Sequence, residues 1–243
     1  MVQINVRLDR TKIDHRNPGD VHYMVSIAAP EVANAERKPI DVVLIIDVST
    51  SMDESATSRD DSRTKLALAC DAAARFVQNL TAHDRVGLVT YSDTVTTLAP
   101  VAELTAERRG MLNDAIARLH TVGGTNLVVG ALRGIGCMAE CPANGDRVRR
   151  VILFTDGLPT VGVTSHAQVV DMIGRGNMGN TPITTIGFGA AVVANGQGGG
   201  GYDPELLTAI ARMSGGNFYH AEGEDDILGA FALELGSLRS VAA

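Results

Sequence analysis

Five oxygen-bearing side chains in three separated segments carry the chemistry of this chain. Asp47, Ser49 and Ser51 stand at alternate positions in "VVLIIDVSTSM", Thr125 lies in the glycine-rich "VGGTNLVVG", and Asp156 ends the apolar run of "VILFTDG". Alternate residues of an extended segment point the same way, so the first three can converge on one point. Two carboxylates and three hydroxyls, with no His or Cys, suit a hard divalent cation, Mg²⁺ first, with Mn²⁺ or Ca²⁺ as alternatives. Mg²⁺ takes about six ligands, which leaves room for water or for an oxygen from outside. Taken singly, Asp47 and Ser49 could also cap a helix, and Asp156 could open a turn.

The elements that must position these groups follow from apolar patterning. Short aliphatic runs at 40–46, 86–91, 94–98, 150–155, 183–188 and 217–220 alternate with helical periodicity at 64–80, 105–119, 127–140, 165–175, 204–213 and 224–238. Such alternation predicts an α/β fold: a Rossmann-like open sheet with helices on both faces. The first, fourth and fifth runs are apolar almost throughout, as buried parallel strands require. "SDTVTT" follows its predecessor after a short turn and predicts one antiparallel edge strand. In an open parallel sheet ligands bind beyond the carboxyl ends of the strands, near the reversal of strand order, and all three segments leave from that rim. In the 64–80 helix, Leu66, Cys70, Ala73, Phe76, Val77 and Leu80 form the apolar stripe and Lys65 falls off it.

Residues 1–39 read differently. Val2, Ile4, Val6 and Leu8, then Val21, Tyr23, Val25 and Ile27, alternate with polar residues on either side of the loop "DRTKIDHRNPGD". This predicts two half-buried antiparallel strands in a small β appendage, followed by the main domain over 40–238 and a tail at 239–243.

Composition narrows the function classes. The chain has 243 residues, 45% of them hydrophobic, and a net charge of −7. A net negative charge argues against a nucleic-acid backbone as partner, which needs clustered Lys and Arg. No apolar run approaches the roughly 18 residues of a membrane-spanning helix, and no leader pattern opens the sequence, so a cytoplasmic location is expected. Cys70, Cys137 and Cys141 are too few for a disulfide framework and read as small hydrophobes. There is no phosphate-binding G-x-x-x-x-G-K-[ST], no G-x-S-x-G elbow and no D-x-D, and the six histidines lie outside the three segments. A binding role rather than an enzymatic one is expected.

"DVSTS", "GGTN" and "TDG" together resemble the metal-ion-dependent adhesion site of von Willebrand factor type A domains, the fold also found in integrin I domains. The wider resemblance covers about residues 40–238, including "DRVGLVTYS" and "YDPELLTAIARMSGGNFYHA", and leans toward the Ca-activated chloride channel-like and inter-alpha-trypsin inhibitor heavy-chain group. It implies that Ser49 and Ser51 ligate the metal directly, that Thr125 does so when the site is engaged, and that Asp47 and Asp156 act directly or through water. It also implies that a protein partner's Glu or Asp fills the last position. The physics agrees, because neutral hydroxyls quench little of the cation's charge and leave it attractive to a carboxylate. On this reading Asp47→Ala and Thr125→Ala lose metal-dependent binding without unfolding, since both lie on a solvent-facing rim.

The sequence departs from the family pattern in places. Thr50 stands where the family usually has Gly. The acidic "DESATSRDDSR" separates the first segment from its helix and suggests that Asp53 or Glu54 swings in as an internal competitor, against the plainer reading of a solvated loop. A second insert at residues 190–201, "AAVVANGQGGGG", reads as a flexible surface loop, with a flap over the metal as its other use. In longer relatives, strands after the last helix join the N-terminal strands, so the appendage is expected to be incomplete here. The runner-up function is a scaffold subunit, for example beside an AAA+ ATPase, whose metal site is structural or vestigial. A metal-dependent hydrolase ranks below both.

Overall fold

A computed structural model describes residues 3–8, 22–28, 38–55, 63–143, 145–189, 201–221 and 224–240. The chain divides into two compact units, Met1–Arg37 with Ala243, and Lys38–Ala242. In the first, β1 (Gln3–Leu8) and β2 (Tyr23–Ala28) pair antiparallel, with Val6 opposite Val25 and Leu8 opposite Tyr23. The apolar residues Ile4, Val6, Leu8, Tyr23 and Val25 are exposed rather than half-buried, which corrects the reading of their alternation. A two-stranded ribbon has no second layer of its own to cover its apolar face.

The second unit is built on β3 (Ile40–Asp47), whose eight residues are all buried. β4 (Arg85–Tyr91) pairs parallel on one side of it and β6 (Val148–Thr155) on the other. β7 (Ile183–Phe188) and β8 (Phe218–Ala221) continue the parallel run, while β5 (Val95–Glu103) closes the other edge antiparallel to β4. The order β5-β4-β3-β6-β7-β8 makes β3 the place where the chain reverses direction across the sheet.

The strand alternation of β3 divides the core. Val42, Leu44 and Ile46 pack with α1 (Lys65–Asn79), α2 (Ala106–Ala117) and α6 (Glu224–Ser240); Val43 and Ile45 pack with α3 (Leu127–Glu140), α4 (His166–Gly176) and α5 (Pro204–Ser214). This is the expected mostly parallel sheet with helices on both faces. Helix starts follow local chemistry: Thr64, Thr105, Asn126 and Asp203 each accept a backbone N–H of the first turn, and Pro204 opens α5.

The edge strand β5 runs to Glu103, beyond the expected end at residue 98, because an edge strand tolerates Pro100 and the register shifts between Val86 and Val89. Cys137 and Cys141 are buried free thiols and Cys70 is half-buried. Among the described residues no helix is long and apolar enough to cross a membrane.

Candidate metal centre

The carboxyl ends of β3 and β6 deliver the two acids. Asp47 is the last residue of β3, and Asp156 directly follows β6. After Asp47 the chain enters a 3-10 turn over Thr50–Asp53, anchored by the buried Met52. The turn is fastened to the glycine-rich segment: both the amide and the hydroxyl of Thr50 donate to the Gly123 carbonyl, at 3.0 and 2.8 Å. Thr50 in place of glycine therefore adds a side-chain tie between two limbs of the site. Gly123 has φ +69°, a left-handed conformation that favours glycine. The same glycine-rich limb holds Thr125 and is tied to the third limb, after β6: the Thr125 amide donates to the Thr160 hydroxyl at 2.9 Å, and its carbonyl accepts from the Thr160 and Val161 amides.

Four of the five groups meet. The hydroxyls of Ser49 and Ser51 lie 3.1 Å apart, and Ser51 donates to Asp156 Oδ1 at 2.9 Å. A Cβ on Gly157 would sit 3.5 Å from Thr125 Oγ1 and 3.6 Å from Ser51 Oγ, so both oxygens border the same space above the Gly157 backbone. Asp47 stands one step behind. Its Oδ1 accepts the Ser49 amide at 2.8 Å, and its Oδ2 accepts the Tyr91 hydroxyl at 3.0 Å and the Thr155 hydroxyl at 2.8 Å.

The expectation of a solvent-facing rim needs correction. Asp47, Ser49, Thr125 and Asp156 are all buried, and only Ser51 is half-exposed. The loops after β3, before α3 and after β6 are bonded to one another and close over their own side chains. Asp47→Ala would strand the Tyr91 hydroxyl in the interior and leave Thr155 with only its long contacts to Gly157, so loss of stability is expected beside any loss of binding.

Three residues of the site escape the sequence reading. Tyr91 faces Asp47 directly in the β3–β4 register, and Thr155 ends β6, each hidden within an apolar strand. The third is Lys65, buried rather than off the packed face of α1; its Nζ lies 2.8 Å from Asp156 Oδ2 and 2.7 Å from Glu54 Oε2. A signal for it exists. A lysine at the first position of a helix opposes the helix dipole and needs an acidic partner. Burial works to lower the Lys65 pKa, but the hydrogen bonds and charges of Asp156 and Glu54 outweigh it and leave it raised. Glu54 is thus held by Lys65 rather than free to swing, while Asp53 is exposed. Residues 56–62 and 190–200 of the two inserts lie outside the described residues.

Burial pushes the Asp47 carboxyl up to about 6, against the lowering effect of its Ser49 and Thr155 hydrogen bonds and with a further raise from the Asp156 charge. The folded value lies above the ordinary 3.8, so the neutral acid favours the fold. That contribution is present in full below pH 3.8 and is lost as pH rises through about 6. In protein freed of divalent ions, the Asp47 side-chain carboxyl carbon is expected to titrate near 6 by NMR. A midpoint near the ordinary value of about 4 would contradict the burial account.

The donor set is of the kind a hard cation takes: oxygen only, with the Ser51 and Thr125 hydroxyls bordering one space above Gly157. Among the described residues no three His, Cys, Asp or Glu side chains cluster, so the hydroxyls are indispensable to such a site.

A mostly parallel sheet with one reversed edge and helices on both faces is a von Willebrand factor A-like α/β fold. Comparison with known proteins agrees: residues 42–158 match the von Willebrand factor type A domain family. The chain is 28% identical over 229 residues to a UPF0353 protein of Mycolicibacterium paratuberculosis, covering 87% of this chain and 64% of that protein. It is 28% identical over 184 residues to inter-alpha-trypsin inhibitor heavy chain H1 of Sus scrofa, covering 72% of this chain and 19% of that one. The solved von Willebrand factor type A structure from Catenulispora acidiphila superposes with a TM-score of 0.67 at 17% identity, over 98% of this chain and 49% of that one. The chain thus spans less than two thirds of the mycobacterial relative's length and about half of the solved chain. Domains of this type commonly mediate protein interactions.

Proposed function

We propose that this domain is a metal-dependent protein-binding module. Ser49, Ser51 and Thr125 would hold a divalent cation, Mg²⁺ first, with Asp47 and Asp156 supplying negative charge directly or through water. The cation would supply an open coordination position for a Glu or Asp carboxylate of a protein partner. The observation that carries this reading is the hydrogen-bonded run from Ser49 through Ser51 to Asp156, with Ser51 Oγ and Thr125 Oγ1 bordering one space above Gly157. The acids and hydroxyls are engaged in orienting one another, and no described His or Cys joins their hydrogen-bonded group, which favours binding over catalysis.

A carboxylate-bearing probe tests this without knowing the partner. Mn²⁺-loaded protein is expected to show water-proton relaxation enhancement that falls as acetate or a short Glu-containing peptide is added. Enhancement indifferent to carboxylate would count against a partner acid on the metal.

The scaffold reading keeps one specific support. The Lys65 ion pair satisfies half of Asp156 without any metal, as a vestigial site would require. Partner capture that is equal in Mg²⁺ and in chelator would move that reading to first place.

A further inference from the structure

We propose that Lys65 is a built-in counter-cation that weakens metal binding at this site and keeps its loading reversible; the inference rests on the metal-binding reading above. The Lys65 side chain is 3% exposed and Asp156 is fully enclosed, so the ammonium has given up its hydration for two carboxylates. Burying such a charge is tolerable only with close, well-placed partners. Asp156 is therefore divided: Oδ1 receives the Ser51 hydroxyl and Oδ2 the Lys65 ammonium.

Glu54 is brought to this point by the backbone. The Lys65 amide donates to the Glu54 carbonyl at 3.0 Å, and Ser55 bridges to Thr64. The acidic insert is thus closed at its base, directly beside Asp156, by the residue that supplies the ammonium. The Lys65 stem passes close to Gly189, where an added Cβ would lie 3.5 Å from Cε.

A cation attracted to the Ser49, Ser51 and Asp156 oxygens meets a fixed positive charge across one carboxylate. Repulsion between charges so close in a partly desolvated site is substantial. The same ammonium neutralises an acid that would otherwise be buried beside Asp47 with no cation at all. Lys65 would therefore lower metal affinity and stabilise the metal-free fold together, while Glu54, its side chain 56% exposed, offsets part of the ammonium's charge.

The test is Mn²⁺ affinity by calorimetry on the wild type, Lys65→Met, Lys65→Arg and Glu54→Gln, with thermal melts in chelator. Lys65→Met is expected to bind Mn²⁺ about tenfold more tightly, to melt below the wild type in chelator, and to regain stability when Mn²⁺ is added. Lys65→Arg, which keeps the charge, should bind like the wild type. Glu54→Gln leaves Lys65 in place and should bind several-fold more weakly; it decides the matter if Lys65→Met does not fold. Wild-type binding with Lys65→Met no tighter, or with Glu54→Gln unchanged, overturns the role of Lys65 alone. No binding in the wild type or in Lys65→Met overturns the metal reading and this inference with it. Binding that appears only in Lys65→Met supports both.

Discussion

Glu234→Ala is expected to cost about 3–5 kcal/mol of stability, the loss found when one partner of a buried ion pair is removed. Glu234 is 1% exposed, on α6. Its Oε1 lies 2.7 Å from Arg150 Nε, a charge contact without aligned hydrogen-bond geometry, and accepts the Thr184 hydroxyl at 2.9 Å. Its Oε2 accepts Asn217 Nδ2 at 3.0 Å and the Tyr219 hydroxyl at 3.2 Å. One carboxylate thus fastens the last helix to β6, β7 and β8. Alanine would leave the buried Arg150 guanidinium with only a long contact to the Gly215 carbonyl and would free three other polar groups. Denaturant unfolding measures the loss. Glu234→Gln should cost less, since it keeps one acceptor oxygen, while it gives up the charge and turns the other oxygen into an NH₂ that faces donors; a loss below about 1 kcal/mol for alanine would mean that water replaces the partners freely.

Gly157→Ala should separate the proposed metal site from the fold. The added Cβ meets nothing closer than Thr125 Oγ1 and Ser51 Oγ, both at ordinary contact distance, so the metal-free domain should melt within a few degrees of the wild type. The same methyl group would occupy the space that those two oxygens border. Metal affinity is expected to fall about 10–100-fold, the usual cost of disturbing the surroundings of a metal's ligands. Unchanged affinity would place the metal elsewhere or nowhere on these residues.

How far the site was legible depends on what each residue's neighbours are. Asp47, Ser49 and Ser51 could be read because alternate spacing after the aliphatic run at 42–46 leaves few other arrangements. Thr125 and Asp156 could be placed because their segments end at the same rim of a parallel sheet, and the 127–140 helix and the 183–188 strand agree with α3 and β7 as observed. Burial of the site was not legible, since it arises from cross-loop ties such as Thr50 to Gly123 and Thr125 to Thr160 that no local pattern encodes. Tyr91 was hidden for a related reason. Its role follows only from strand register, which places it opposite Asp47. Lys65 was misread because helical periodicity was weighed and the helix dipole was not. The exposed apolar residues of the β1–β2 hairpin show that alternation predicts a strand's two faces but not what covers them.

The most direct test of the proposed metal centre is a Mn²⁺ titration followed by electron paramagnetic resonance on the wild type and on Ser51→Ala. Ser51 is the safest position to change, being the half-exposed member of the set and bonded to both Ser49 and Asp156. The account predicts saturable binding at one site in the wild type and its loss in a variant that remains folded. Absence of saturable binding in the wild type, or binding that survives Ser51→Ala undiminished, would contradict it.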